Sequence, residues 1–299
     1  IASILRWLGI YAFFILGFYV GNDSNFIYRL SQSNRIILLS SVIPIVFSII
    51  QIINGEFSFY TEMHGFQRLQ GTFVHPGAYG CFLAMVLSFS LPKLLISEKI
   101  ELPWIIINVL LFFFLVLSFF KTAWFGTAFA LFITIVSTRK GRVPIPLILI
   151  IFVGFFFFDS LISQRLADTQ SLYWRFGIWN YLLSHINSLS DLLIGQGLGA
   201  TKYFISYLVG TNVTTAHSTY VELIVDYGAV PTILFVLIHI LSFKNAFFLI
   251  NQNNILLKQF GSSMILITSL FLFIYLSQTL IKPLFMIYLF FIIGFSGGI

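Results

Sequence analysis

The chain has 299 residues, 59 % of them hydrophobic and 9 % charged, with 37 Phe and a mean hydropathy of +0.98. A soluble domain of this length carries roughly 25 % charged residues to cover its surface, so a water-soluble fold is excluded. The net charge of +6 comes from bases scattered along the chain, not from the clustered stripe that a phosphate backbone requires, which argues against a nucleic-acid partner.

The chain opens at Ile1 in an apolar segment without a cleavable-signal layout, and reads as an N-terminally truncated piece with further spans expected before it. A helix needs about 20 apolar residues to cross about 30 Å of hydrocarbon. Nine segments meet or approach that length: Ile4–Gly21, Ile36–Ile53, Gly77–Ile96, Pro103–Phe120, Thr122–Ser137, Pro144–Phe158, Thr219–Phe243, Ser262–Leu280 and Leu284–Phe295. The segments that start at Thr122, Pro144 and Leu284 are the short ones. The expected fold class is therefore all-α: a polytopic integral membrane helical bundle of about nine spans, forming one transmembrane domain over residues 1–299. The single Cys81 lies inside one of these runs, where it acts as a small hydrophobe, and it rules out a disulfide framework and a Cys-based metal site.

Orientation follows from the Lys and Arg of the short loops. With Arg139-Lys140-Gly141-Arg142 placed in the cytoplasm, alternation puts Arg29, Arg35, Lys93, Lys99, Lys244 and Lys258 there too, nine of the sixteen bases in all. Arg6, Lys121 and Lys282 fall in short outer positions. Arg68, Arg165, Arg175 and Lys202 fall in two longer loops, residues 54–76 and 159–218, that the same alternation places outside. Long loops escape the charge bias, so translocation alone accounts for these bases unless they have a task.

Both outer loops carry chemistry. The first is polar and aromatic and ends on Arg68-Leu69-Gln70-Gly71-Thr72-Phe73-Val74-His75-Pro76. In the second, Tyr173 to Leu183 has aromatic and aliphatic residues at helical spacing, which predicts an amphipathic helix at the outer interface. Gly195-Gln196-Gly197-Leu198-Gly199 follows; it lacks the strand and helix of a nucleotide fingerprint and reads as a tight turn in which backbones pack closely. The loop closes on His217, at the mouth of the next span. Glu222 and Asp226 share one helical face in the outer half of that span, and at membrane depth such a face turns inward, toward the outer arginines.

Three stretches, in order, resemble the O-antigen ligase and polysaccharide polymerase superfamily of bacterial envelope enzymes. Arg68-x-x-Gly71-Thr72-Phe73-x-His75-Pro76 is similar to its Arg-x-x-Gly-x-Phe-x-x-Pro segment. Arg175-x-x-x-Trp179 with Leu193-Ile194-Gly195-x-Gly197-x-Gly199 is similar to its Arg-x-x-x-Trp and Ile-Gly-x-Gly-x-Gly. His217-Ser218-x-Tyr220-x-x-x-Ile224-x-Asp226-x-Gly228 is similar to its His-Asn-x-Tyr-x-x-x-x-x-Glu-x-Gly. Gly77, Ser218 and Phe120-Lys121-Thr122 depart from the pattern. The resemblance implies an inverting, metal-independent glycosyltransferase in the bacterial inner membrane, active on its extracytoplasmic face, that takes a glycan from a polyprenyl (undecaprenyl) pyrophosphate and passes it to a hydroxyl of a glycan or glycolipid acceptor.

The residue chemistry agrees with that expectation. A departing diphosphate calls for planar, always charged guanidinium groups, and Arg68 and Arg175 are the candidates, with Arg165 a third. The acceptor hydroxyl must lose a proton, and an imidazole of intrinsic pKa near ~6.5 is suited to take it, which nominates His217. Arg165, His75, Glu222, Asp226 and Trp179 complete the expected substrate-binding set. No cofactor is expected, and carboxylates facing arginines account for Glu222 and Asp226 without a metal. Polymerase of capsule or O-antigen and ligase to lipid A core share this chemistry; the low Ala and abundant Ile, Asn and Phe fit a low-GC bacterium and tilt the choice toward polymerase. A transporter or lipid-linked glycan flippase is the reading from another class, but it would place ionisable groups near the midplane and often repeat its halves.

Overall fold

A computed structural model describes residues 15, 26–55, 68–97, 101–138, 170–209 and 215–277. Every regular element among them is a helix: α1 (Phe26–Ser40), α2 (Val42–Asn54), α3 (Pro76–Ile96), α4 (Leu102–Leu117), α5 (Lys121–Thr138), α6 (Gln170–Leu183), α7 (Leu189–Ile194), α8 (Ala200–Val209), α9 (Thr219–Tyr227), α10 (Ala229–Ile250) and α11 (Ile255–Ser277). Five helices, Asn34–Asn54, Pro76–Ile96, Lys121–Thr138, Ala229–Ile250 and Ile255–Leu276, are long and apolar enough to cross a membrane, and α4 is a shorter apolar helix. The expected spans Ile4–Gly21, Pro144–Phe158 and Leu284–Phe295 lie outside the described residues, Ile15 apart.

The burial pattern combines an apolar interior with an apolar exterior. Ile43, Val46, Phe47 and Ile53 on α2 and Ile233, Leu234, Leu237 and Ile240 on α10 are exposed, whereas Ser48, Ser90, Asn108, Thr134, His239 and Ser242 are buried. Apolar side chains on the outside and hydrogen-bonded polar ones on the inside are what a lipid solvent selects.

The described residues within Asn22–Arg165 and Phe243–Leu270 form one compact unit, and those within Leu166–Ser242 and Phe271–Ile299 form another. In the first of these, α3 is buried on nearly every side. Its Ser90 hydroxyl donates to Asn108 Oδ1 at 2.7 Å, and Asn108 Nδ2 donates to the Trp104 carbonyl at 2.7 Å, tying α3 to α4. Gly80 lets the α4–α5 turn come close, since a Cβ there would stand 2.8 Å from Ser118 Oγ. One end of this unit gathers Gln51, Arg68 to His75 and Ser118 to Lys121; at the other, Ile96, Thr138, Ile250 and Lys258 border a cavity of about 740 Å³.

The other unit contains what the sequence presents as a long outer loop. Ile178 and Leu182 of α6, Ile205 of α8, Val225 of α9 and Ala216, just before α9, form a small core, with Trp179, Ile186, Ala200, Phe204 and Val221 packed on it. Each large aliphatic side chain buried in this way contributes about 1.5–3 kcal/mol. The exposed side of α6 carries Tyr173, Trp174 and Phe176 beside the polar Asn180, a mixture suited to a membrane interface. A capping box starts α7, where Ser188 and Asp191 exchange side-chain and backbone hydrogen bonds.

The segment Thr219–Phe243, expected as one span, is two helices. Gly228 has φ +87° and ends α9, and a Cβ on it would lie 2.4 Å from the Leu193 backbone, so glycine both turns the chain and admits a crossing strand of main chain. The span proper starts at Ala229, and Glu222 and Asp226 sit on the short helix before it.

Candidate functional site

Arg68 lies where the chain enters the turn before α3. It is only 6 % exposed, and its Nε donates to the Ser118 carbonyl at 3.2 Å. The next residue repeats the contact through its backbone, Leu69 N–H donating to the Leu117 carbonyl at 3.2 Å, so residues 68–69 close off the C-terminal end of α4. That end is tight: Phe119 has φ +48°, a left-handed backbone that costs a bulky residue about 1–2 kcal/mol. On the other side of the turn, Gly71 N–H donates to Gln51 Oε1 at 3.1 Å, and Gly71, at φ +55°, leaves no room for a Cβ beside the Pro44 carbonyl at 2.8 Å. The Ser48 hydroxyl pairs with the Tyr79 hydroxyl at 2.7 Å and the Pro44 carbonyl at 3.0 Å beneath it. His75 caps α3, its Nδ1 accepting from Gly77 N–H at 2.9 Å, with Pro76 at the first helical position. Lys121, half-buried, begins α5 directly after this turn.

In the other unit, His217 stands between the small core and α9, also on a left-handed backbone at φ +53°. Ala216 before it is fully buried; its N–H donates to Glu222 Oε1 at 2.9 Å and its carbonyl accepts from Trp179 Nε1 at 2.7 Å. Ser218 after it is the N-cap of α9, accepting from Val221 N–H at 3.4 Å and lying 3.4 Å from the Tyr275 carbonyl. The Trp174 ring meets the imidazole edge-on, centroids 5.5 Å apart, and Arg175 is the next residue along α6, half-buried. Tyr220 donates to the Leu272 carbonyl at 3.3 Å, and burial pushes its hydroxyl up to about 12, so it stays a donor.

The glycine segment packs on the C-terminal end of α9. Gly195, Gly197 and Gly199 all have positive φ, Gln196 N–H donates to the Val225 carbonyl at 2.8 Å, and Gly197 N–H to the Asp226 carbonyl at 3.1 Å. A Cβ on Gly195 would sit 2.5 Å from Tyr227 N. Asp226 uses both carboxylate oxygens on main chain, accepting from Gly199 N–H at 3.1 Å and Thr201 N–H at 2.8 Å. It thereby supplies the negative charge that the N-terminus of α8 favours.

The structure thus brings Arg175, Trp179, the glycines, His217, Glu222 and Asp226 into one unit, and places Arg68 and His75 in the other. Arg165 lies outside the described residues. Among the described residues no three His, Cys, Asp or Glu side chains gather as a metal site would require. Trp174 and Ala216, outside the expected site residues, touch or hold His217. The place of Trp174 beside Arg175 was a signal for the first; nothing local marks an alanine as a backbone anchor. No protein-family model matches the chain, and no curated protein matches it. The resemblance to the O-antigen ligase and polymerase superfamily therefore rests on the three stretches themselves.

Proposed function

We propose that the chain is a membrane glycosyltransferase that moves a glycan from a polyprenyl pyrophosphate to a sugar hydroxyl at the outer face of a bacterial inner membrane, acting as a polysaccharide or O-antigen polymerase. Transfer to a lipid A core, the ligase reaction, is the alternative within the same chemistry. The observation that carries this reading is the mutual packing of the second and third stretches: Trp179 on Ala216, Trp174 on His217, Gly199 on Asp226, and Gly195 against the end of α9. Segments that resemble the superfamily separately also fold against one another.

In this reading His217 accepts the proton of the acceptor hydroxyl as its oxygen attacks C1 from the face opposite the diphosphate. The C1–oxygen bond to the diphosphate breaks, and the leaving group departs as an anion stabilised by guanidinium, a role given to Arg175. The role of Arg68 as a diphosphate ligand is a separate proposal that rests on its match to the first stretch.

Reconstitution of the purified protein with undecaprenyl-pyrophosphate-linked glycans extracted from the source cells tests the activity. A ladder of lengthened lipid-linked glycan supports the polymerase, transfer only to added lipid A core supports the ligase, and no transfer to either defeats both. Arg175→Lys keeps the charge but not the planar two-pronged contact, and is expected to lose ten- to a hundredfold in rate, about 1.5–3 kcal/mol. Impermeant thiol labelling of single cysteines at Ser58 and Ser206, in a Cys81→Ser background, tests whether both loops face outward.

A transporter is the second reading, and His239 is the residue that favours it. It is fully buried midway along α10, with Nδ1 2.8 Å from the Phe235 carbonyl and no hydrogen-bond partner for Nε2 among the described residues. Buried ionisable groups at membrane depth mark transport paths. Substrate flux into vesicles that His239→Phe abolishes, without any glycan transfer by the parent protein, would establish the carrier in place of the enzyme.

A further inference from the structure

The imidazole of His217 is held by a backbone that ordinary side chains avoid, and part of the restraint reaches it through the main chain of its neighbour Ala216. Rotation about the His217 N–Cα bond relates the plane of the Ala216–His217 peptide to the main chain that follows it, so fixing both sides fixes φ. The carbonyl of that peptide is fixed by the Trp179 indole N–H at 2.7 Å, and the peptide before it by Glu222 Oε1, which accepts the Ala216 N–H at 2.9 Å. Glu222 is 9 % exposed and Ala216 is fully buried, so water cannot replace either bond. On the far side the chain enters α9 at once, with Ser218 as N-cap and Glu222 N–H returning to the Ser218 carbonyl at 3.1 Å. His217 is thus suspended between two fixed peptides and has φ +53° as its remaining choice.

Resting on the glycosyltransferase reading above, we infer that Trp179 and Glu222 are positioning residues for the proton acceptor: they clamp Ala216 and through it aim the His217 imidazole, rather than contacting the glycan themselves. The two play distinct parts. Trp179 sets the peptide that bears the His217 nitrogen, so loss of its donor lets that peptide turn over and His217 relax to a negative φ. Glu222 provides an acceptor, and an amide oxygen in its place would serve as well.

The experiment is a double-mutant cycle on the purified protein in proteoliposomes, with undecaprenyl-pyrophosphate-linked glycans from the source cells as donor. Trp179→Phe, which keeps a packed ring and removes the N–H, is expected to lower kcat about ten- to a hundredfold while leaving the donor KM within about threefold. Glu222→Ala should behave similarly and Glu222→Gln should restore most of the rate. In a His217→Ala background, Trp179→Phe should change the residual rate by less than about twofold, because a residue that acts only through His217 has nothing left to aim. If Trp179→Phe does not yield folded protein, Glu222→Ala takes its place in the cycle. A Trp179→Phe or Glu222→Ala protein at the wild-type rate, or a fall in the His217→Ala background as large as in the wild type, would overturn the assignment. A His217→Ala protein that transfers glycan at the wild-type rate would instead sink the proton-acceptor reading on which it rests.

Discussion

Among the described residues, two turns hold a bulky side chain on a left-handed backbone, and they do it in opposite ways. At the end of α4, Phe119 at φ +48° follows a residue whose carbonyl is held by the Arg68 side chain, so the candidate cation is itself part of the brace. At the start of α9, His217 at φ +53° is braced by Trp179 and Glu222 through its neighbour, while its ring packs edge-on against Trp174. The difference teaches that, under the proposed roles, a lost activity would mean different things at the two places: substitution of Arg68 also removes a brace of its turn, whereas the hydrogen bonds that brace the His217 turn come from Trp179 and Glu222.

The sharpest test of that contrast carries the largest expected effect. His217→Ala should lower glycan transfer by about 10²–10⁴-fold with little change in thermal unfolding temperature, since hydrogen bonds through Ala216 and Ser218 hold the turn. A lower unfolding temperature in step with the lost rate would erase the distinction between the two turns. Gly228→Ala comes next. A methyl group 2.4 Å from the Leu193 backbone, added at φ +87°, should destabilise the unit by about 2–5 kcal/mol through strain and overpacking together, seen as earlier unfolding and loss of the Trp fluorescence of its packed core. An unchanged unfolding temperature would mean that the glycine segment is not what secures α9.

Arg68→Met keeps length and removes the donor, leaving the Ser118 carbonyl without its guanidinium. It should cost about 1.5–3 kcal/mol of stability, unlike His217→Ala, and thermal unfolding in detergent measures the difference. Equal unfolding temperatures for Arg68→Met and the wild type would show that the α4 turn stands without its brace. The smallest effect belongs to His75→Ala, which removes the N-cap of α3. It should cost about 1 kcal/mol, with His75→Asn or His75→Asp restoring most of it because either side chain accepts from Gly77 N–H. Loss of transfer without loss of stability in His75→Ala would instead assign that imidazole to the reaction.

Local chemistry alone determined a good deal of this molecule. Long apolar runs are sufficient to place helices where α2, α3, α4, α5, α10 and α11 lie, because in lipid each backbone polar group must be satisfied within its own segment. Aromatic and aliphatic spacing from Tyr173 to Leu183 was enough to place α6, and His217 stood out because a polar loop meets a helix carrying acids. Tertiary structure decided what the polar side chains do. Gly228 splits an apolar run that reads as one span, since the main chain of Leu193, 35 positions earlier, needs its space. Asp226 caps a helix that starts 26 residues before it, Trp179 holds a carbonyl 37 residues after it, and Arg68 holds one 50 residues after it. Periodicity reports which side of a helix is apolar, but a hydrogen bond between distant segments depends on where the packed core brings them, and only the folded chain contains that information.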